Sequence, residues 1–174
     1  AHRGGGGLAP ENTLAGLRLA ARLGYRAVEV DVMLTADGVP VLLHDETLDR
    51  TTDGHGRLAD RCWADLAGVD AGRRFHPAWA GEPIPRLEAV LALCADLGLG
   101  LNVEIKPATG QDVDTGRVVA ETVARACPAG LPLVLSSFSE AALGAARAAA
   151  PSQPRALLVE ALPAGWAERV AAVG

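Results

Sequence analysis

Ala27-Val28-Glu29-Val30-Asp31-Val32-Met33-Leu34 is the most informative stretch of this chain. It is rich in valine and alternates with a period of two, which predicts a strand. Alternate side chains on a strand share a face. Glu29 and Asp31 therefore point one way, and Val28, Val30 and Val32 point the other, toward a buried layer of helices. Two carboxylates among valines are costly to bury unless a cation neutralises them. The alternative at this point is a solvent-exposed face of an edge hairpin. Ala36-Asp37-Gly38 is a turn signal, and 39–44 reads as a second strand. A three-residue link is too short for a parallel crossover, so the pair is expected to be antiparallel. With the turn near Asp37, His44 falls almost opposite Asp31.

Upstream, 12–23 reads as a helix. Leu14, Leu17 and Ala21 recur at helical spacing, Asn12 or Thr13 can cap its start, and Gly24 can end it. Downstream, the polar stretch Asp45–Gly81 carries one weak helix signal at 64–67; a region this long is expected to be functional or an insertion. The rhythm then becomes regular. Helices are expected at 87–97, 116–126 and 140–149, each followed by a strand, at 99–106, 131–137 and 155–160. A last helix begins near Trp166. Repeated αβ units argue for a parallel sheet flanked by helices. The glycine run Gly4–Gly7 lacks the G-x-G-x-x-G order of a dinucleotide site.

The stretch Asn102-Val103-Glu104-Ile105-Lys106 repeats the device of the first strand. Asn102, Glu104 and Lys106 share one face and Val103 and Ile105 the other. Lys106 is the one lysine among sixteen basic residues. It is either a chance survivor or a compact ammonium that a planar guanidinium cannot replace. His44-Asp45 ends the second strand, and His2-Arg3-Gly4 sits at the expected end of a first one. His55 and His76 are read as ordinary polar residues. Three carboxylates supply oxygen ligands only, which suits Mg²⁺ or Ca²⁺ better than zinc or copper. Two histidines can act as acid and base, and an arginine and a lysine can hold a phosphate. All lie at the C-terminal ends of expected strands, where (β/α)₈ barrels place their sites, so a barrel is preferred to a doubly wound sheet. Such barrels typically take about 250 residues. At 174 residues, the chain is expected to be a single domain over 1–174, truncated at its C-terminus by about two βα units.

Composition excludes other classes. With 49% hydrophobic and 21% charged residues, the chain is globular rather than disordered. A net charge of −5 without a basic cluster argues against nucleic acid or anionic lipid as partners. No apolar run reaches the roughly 18 residues of a membrane span. Cys62, Cys94 and Cys127 are expected to be core thiols in a reducing compartment, hence cytoplasmic. The opening Ala1-His2, without Met, leaves room for a leader or a first strand upstream.

The motifs His2-Arg3-Gly4, Pro10-Glu11-Asn12-Thr13, Glu29-Val30-Asp31, Thr35-Ala36-Asp37-Gly38, His44-Asp45, Leu48-Asp49-Arg50-Thr51-Thr52, Asn102 to Lys106 and Ser136-Ser137-Phe138 occur in one order. In this the chain resembles the glycerophosphodiester phosphodiesterases of the short bacterial type. The resemblance implies a (β/α)₈ TIM barrel of the phospholipase C-like phosphodiesterase type. The implied reaction is hydrolysis of small-molecule glycerophosphodiesters, such as glycerophosphocholine or glycerophosphoethanolamine, to sn-glycerol 3-phosphate and an alcohol, within lipid and glycerol metabolism. It implies a divalent cation, Mg²⁺ or Ca²⁺, on Glu29, Asp31 and Glu104, acid/base roles for His2 and His44, and phosphate contacts from Arg3 and Lys106. Glu11 and Asn12 are placed with them at the site mouth, with Asn12 as helix cap the alternative. The competing readings are a related lysophospholipase D or phospholipase-type enzyme, with Phe75 to Trp79 as its only candidate lip, and a catalytically silent glycerophosphate-binding module.

Overall fold

The structure, a computed structural model, describes residues 1–173. Its elements are α1 (Leu14–Arg22), β1 (Ala27–Leu34), β2 (Pro40–Leu42), α2 (Leu87–Leu97), β3 (Gly100–Ile105), α3 (Asp112–Ala126), β4 (Leu133–Ser137), α4 (Glu140–Ala149), β5 (Arg155–Leu157) and α5 (Trp166–Val173). The strands form one sheet in the order β2-β1-β3-β4-β5. β1, β3, β4 and β5 run parallel, and β2 returns antiparallel on β1. The fold class is thus the expected one, an α/β architecture of the TIM-barrel type with helices outside a parallel sheet.

The valine face of β1 does what its pattern dictates. Val28, Val30 and Val32 are buried with Val103, Ile105 and Leu135 against Leu17, Leu87, Leu91, Val119 and Ala142 of the helices. Burial of such side chains contributes on the order of 1.5–3 kcal/mol each, so this layer fixes the strands' orientation. The opposite face is then committed to Glu29, Asp31 and Glu104.

Local differences have local causes. Thr13, not Asn12, caps α1: its side chain accepts from Gly16 N. The weak helix expected at 64–67 is a 3₁₀ turn, Trp63–Leu66, one of three in the polar stretch. That stretch has a small core of its own, in which Leu48, Leu58 and Leu66, joined by Ile84 just beyond it, pack on Met33, Val41 and Leu43. Residues 2–7 are turn rather than strand, yet Ala1 donates to Ala27 O and accepts from Glu29 N, as a parallel neighbour does. Strands β2, β3, β4 and β5 are shorter than the expected spans, and α3 begins at Asp112, four residues earlier than expected. There Asp112 accepts from Ser139 Oγ, the cap of α4, which ties the two helix starts together. Of the thiols, Cys94 is buried with its pKa pushed up to about 12 by desolvation, whereas Cys62 is exposed, against expectation.

Helices α3 and α4 touch at Gly116, where a Cβ would lie 2.1 Å from Ala142 O. Helix propensity alone favours Gly116→Ala by up to about 1 kcal/mol. The clash is with backbone, which cannot swing aside, so overpacking prevails and the variant is expected to lose about 1–3 kcal/mol. Urea unfolding midpoints of the two proteins check this.

Candidate active site

Glu29 and Asp31 leave β1 on the same side, and the parallel register sets Asp31 opposite Glu104 and Glu29 opposite Asn102. One carboxylate oxygen from each of Glu29, Asp31 and Glu104 lies within 4.8 Å of the others. The exposed-hairpin alternative is excluded, because Asp31 is only 1% exposed. Its neighbours explain how it is tolerated. Asn12 donates from Nδ2 to Asp31 Oδ2 at 2.9 Å and accepts Asp31 N at 3.0 Å. Lys106 Nζ lies 3.9 Å from Asp31 Oδ1 and 3.4 Å from Glu104 Oε1, and Arg3 Nε lies 3.6 Å from Asp31 Oδ2.

Two non-glycine residues adopt positive φ, Arg3 at 51° and Asn12 at 55°. Such conformations cost of order 1–3 kcal/mol and gather at functional sites. Here they serve a purpose. The turn at Arg3 directs its N–H onto Glu29 Oε2 at 2.9 Å, and its carbonyl accepts Asn12 N at 2.9 Å.

Glu29 Oε1 and Arg3 Nε are buried without a hydrogen-bond partner among the described residues. Desolvation raises the pKa of Glu29, with the charges of Asp31 and Glu104 adding to it and the Arg3 N–H and His2 opposing. A clustered, partly buried, incompletely satisfied set of oxygens is what a hard cation would complete. The residues present therefore fit a divalent ion, which Glu29, Asp31 and Glu104 would hold.

Both expected histidines arrive along one edge of β1. Gly4 N donates to Glu29 O, and Leu43 N donates to Asp31 O. These carbonyls are two residues apart, about 7 Å along the strand, so the His2 and His44 segments dock side by side. Leu43, not His44, is the residue opposite Asp31, because the turn places Leu34 opposite Pro40. His2 is exposed, with Nε2 3.8 Å from Glu29 Oε2.

A network of ion pairs was not anticipated from the sequence. His44 Nδ1 meets Asp45 Oδ1 at 2.6 Å. Arg50 holds Asp45 through Nε and Nη2, and holds both oxygens of Glu11 through Nη1 and Nη2 at 2.9 and 2.8 Å. Glu11 in turn accepts from Arg3 Nη1 at 2.9 Å. Arg50 thus connects the histidine to the arginine. Its hydrogen bonds pull the Asp45 pKa down to about 2, with His44 adding to the effect. Burial would raise the pKa of Glu11, but Arg50 and Arg3 outweigh it and the result is lowered. The one signal available beforehand was the motif Leu48-Asp49-Arg50-Thr51-Thr52, which carried no assigned role for its arginine. Ser136 Oγ also donates to Asn102 Oδ1, bracing the neighbouring strand.

An acidic cluster on the parallel strands β1 and β3, ringed by arginine, lysine and two histidines, is the kind of site in which a barrel protein could receive a cation and an oxyanion. Comparison with known proteins gives the family. The sequence model of the glycerophosphoryl diester phosphodiesterase family matches residues 2–173, and the chain belongs to that family. Glycerophosphodiester phosphodiesterase 1 of Bos taurus is 45% identical over 108 residues, which are 61% of this chain and 33% of that protein. The glycerophosphodiester phosphodiesterase of Caldanaerobacter subterraneus subsp. tengcongensis is 45% identical over 106 residues, 61% of this chain and 44% of that protein. These matches span less than half the length of either relative. A phosphodiesterase of Oleispira antarctica, solved in complex with its product sn-glycerol-3-phosphate, superposes with a TM-score of 0.95 at 42% identity, over 99% of this chain and 70% of that one.

Two outcomes follow for the network. Arg50→Gln is expected to lower kcat/KM by about tenfold to a hundredfold, the scale of losing charge-assisted hydrogen bonds. Lysine should recover only part, since it cannot serve two carboxylates at once. For Asp45 the folded pKa lies below its ordinary 3.8. Its stabilising contribution is therefore complete above that value and is lost as pH falls through about 2. Denaturant midpoints of wild type and Asp45→Asn should differ at pH 7 and converge in that acid window.

Proposed function

We propose that this chain hydrolyses glycerophosphodiesters to sn-glycerol 3-phosphate and an alcohol, with Mg²⁺ or Ca²⁺ as its cation. The observation that carries the reading is the convergence of three carboxylates from two strands, one of them with a buried oxygen lacking a partner among the described residues. The product held by the similar Oleispira antarctica protein supports the substrate class.

Glu29, Asp31 and Glu104 hold the cation, and Asn12 fixes the orientation of Asp31. When bound, a divalent ion supplies Lewis acidity toward a phosphoryl oxygen and charge compensation in the transition state. Arg3 and Lys106, already turned toward the carboxylates, bind the remaining phosphate oxygens. Asp45, kept ionised by Arg50, takes the Nδ1 proton of His44 as a hydrogen bond and leaves Nε2 free to accept a proton from the attacking oxygen. His2, open to solvent beside Glu29, protonates the departing alkoxide. Glu11 holds Arg3 in register with this pair.

Treatment with EDTA is expected to abolish release of glycerol phosphate and to lower the melting temperature. Glu104→Gln should lose most of the cation-dependent rise in melting temperature. His44→Ala should retain substrate binding while kcat falls by about 10²–10⁴-fold. Undiminished turnover after metal removal would count against the proposal.

A further inference from the structure

The cluster is flanked by two cavities. One, of about 420 Å³, shares Glu104 and Lys106 with it and is walled by Ser137 and Phe138. The other, of about 320 Å³, lies beyond Glu11 and Arg50 and is closed by Pro10, Thr51, Arg74 and Phe75. Both are within the roughly 300–1,000 Å³ range of small-molecule sites. The second cavity joins the site through a shared wall. Glu11 binds Arg3, and Gly6, which also lines it, donates its N–H to the His2 carbonyl.

A phosphodiester has two arms, and the two cavities offer one place for each. The glycerol arm, whose hydroxyls suit a hard cation, belongs with Glu104. The alcohol arm is left to the Arg74 cavity. Charges there are unequal. Arg50 is matched by Glu11 and Asp45, and Glu11 is matched by Arg50 and Arg3. Arg74 has no hydrogen bond or ion pair among the described residues; its neighbour Arg73 takes Asp70. Phe75, 46% exposed, is the single aromatic ring on the wall. A quaternary ammonium is held by several aromatic faces or an uncommitted carboxylate. This wall offers one ring, a carboxylate already spent on two guanidinium groups, and an unmatched cation.

The geometry points to this cavity as the seat of the leaving alcohol, with Arg74 selecting hydroxyl-rich or anionic head groups over quaternary ammonium ones. The assignment rests on the phosphodiesterase reading above and narrows its substrate class. Arg74 is a specificity determinant that touches the head group; it takes no part in proton transfer. The polar stretch around Phe75, which the cation site does not use, thereby acquires a role.

The test compares kcat/KM for glycerophosphoglycerol and glycerophosphocholine in wild type, Arg74→Gln and Arg74→Glu. Exposed charge contacts are worth up to about fivefold each. Wild type should prefer the glycerol head group by a few-fold. Charge reversal should shift the ratio toward choline by about tenfold, mainly through KM, with the glutamine variant intermediate. A ratio unchanged within about twofold across the three proteins overturns the assignment. Wild-type hydrolysis of glycerophosphomethanol, whose alcohol arm carries no polar group for Arg74 to bind, separates the two readings. If wild type cleaves none of the three diesters, the proposed function fails. The cavity is then judged, as a head-group binding site alone, by calorimetric binding of glycerophosphoglycerol: weaker binding by Arg74→Glu upholds Arg74 as a head-group contact, and equal affinity overturns it.

Discussion

Like-charge crowding is the constraint around which this molecule is organised. Glu29, Asp31 and Glu104 approach one another because the parallel register of β1 and β3 leaves them no other direction. The valine and isoleucine face behind them, packed against α1 to α4, holds that register against the repulsion. A one-residue slip of either strand would turn its acids into the apolar layer and its valines toward water. The cost of the cluster and the strength of the core are therefore parts of one design.

The ring around the cluster meets that cost by degrees. Asn12 meets Asp31 with two hydrogen bonds from an uncharged side chain, while Arg3 and Lys106 lie close enough to offset charge without saturating every oxygen. The positive φ values at Arg3 and Asn12 show that local backbone comfort yields to this arrangement. Farther out, Arg50 ties Glu11 to Asp45, so the placement of Arg3 and that of His44 are not independent.

Much of this was legible in the residues themselves. Periodicity located the central strands and the helices behind them, because alternation and helical spacing reflect burial directly. The carboxylate face of β1 was readable for the same reason. Element ends were less so: α3 starts early because Asp112 is recruited by Ser139, a contact 27 residues away. Between Asn12 and Thr13 the cap could not be chosen locally, since the deciding partner of Asn12 is Asp31, in the next strand. Arg50 gave no periodic signal at all. Its role exists only once the chain brings Glu11 and Asp45 to it from separate segments. Cys62 misled because composition reports a residue's average habitat rather than its place on a surface turn.

The segment after β2 has a core of its own, anchored on Met33, Val41 and Leu43 and distinct from the layer beneath the acids. Its outer loop supplies Arg74 and Phe75. Sequence drift in that loop could accordingly alter the wall that carries Arg74 without disturbing the strands that carry the acids. On the function proposed above, recognition and chemistry would be separated along a seam in the hydrophobic interior.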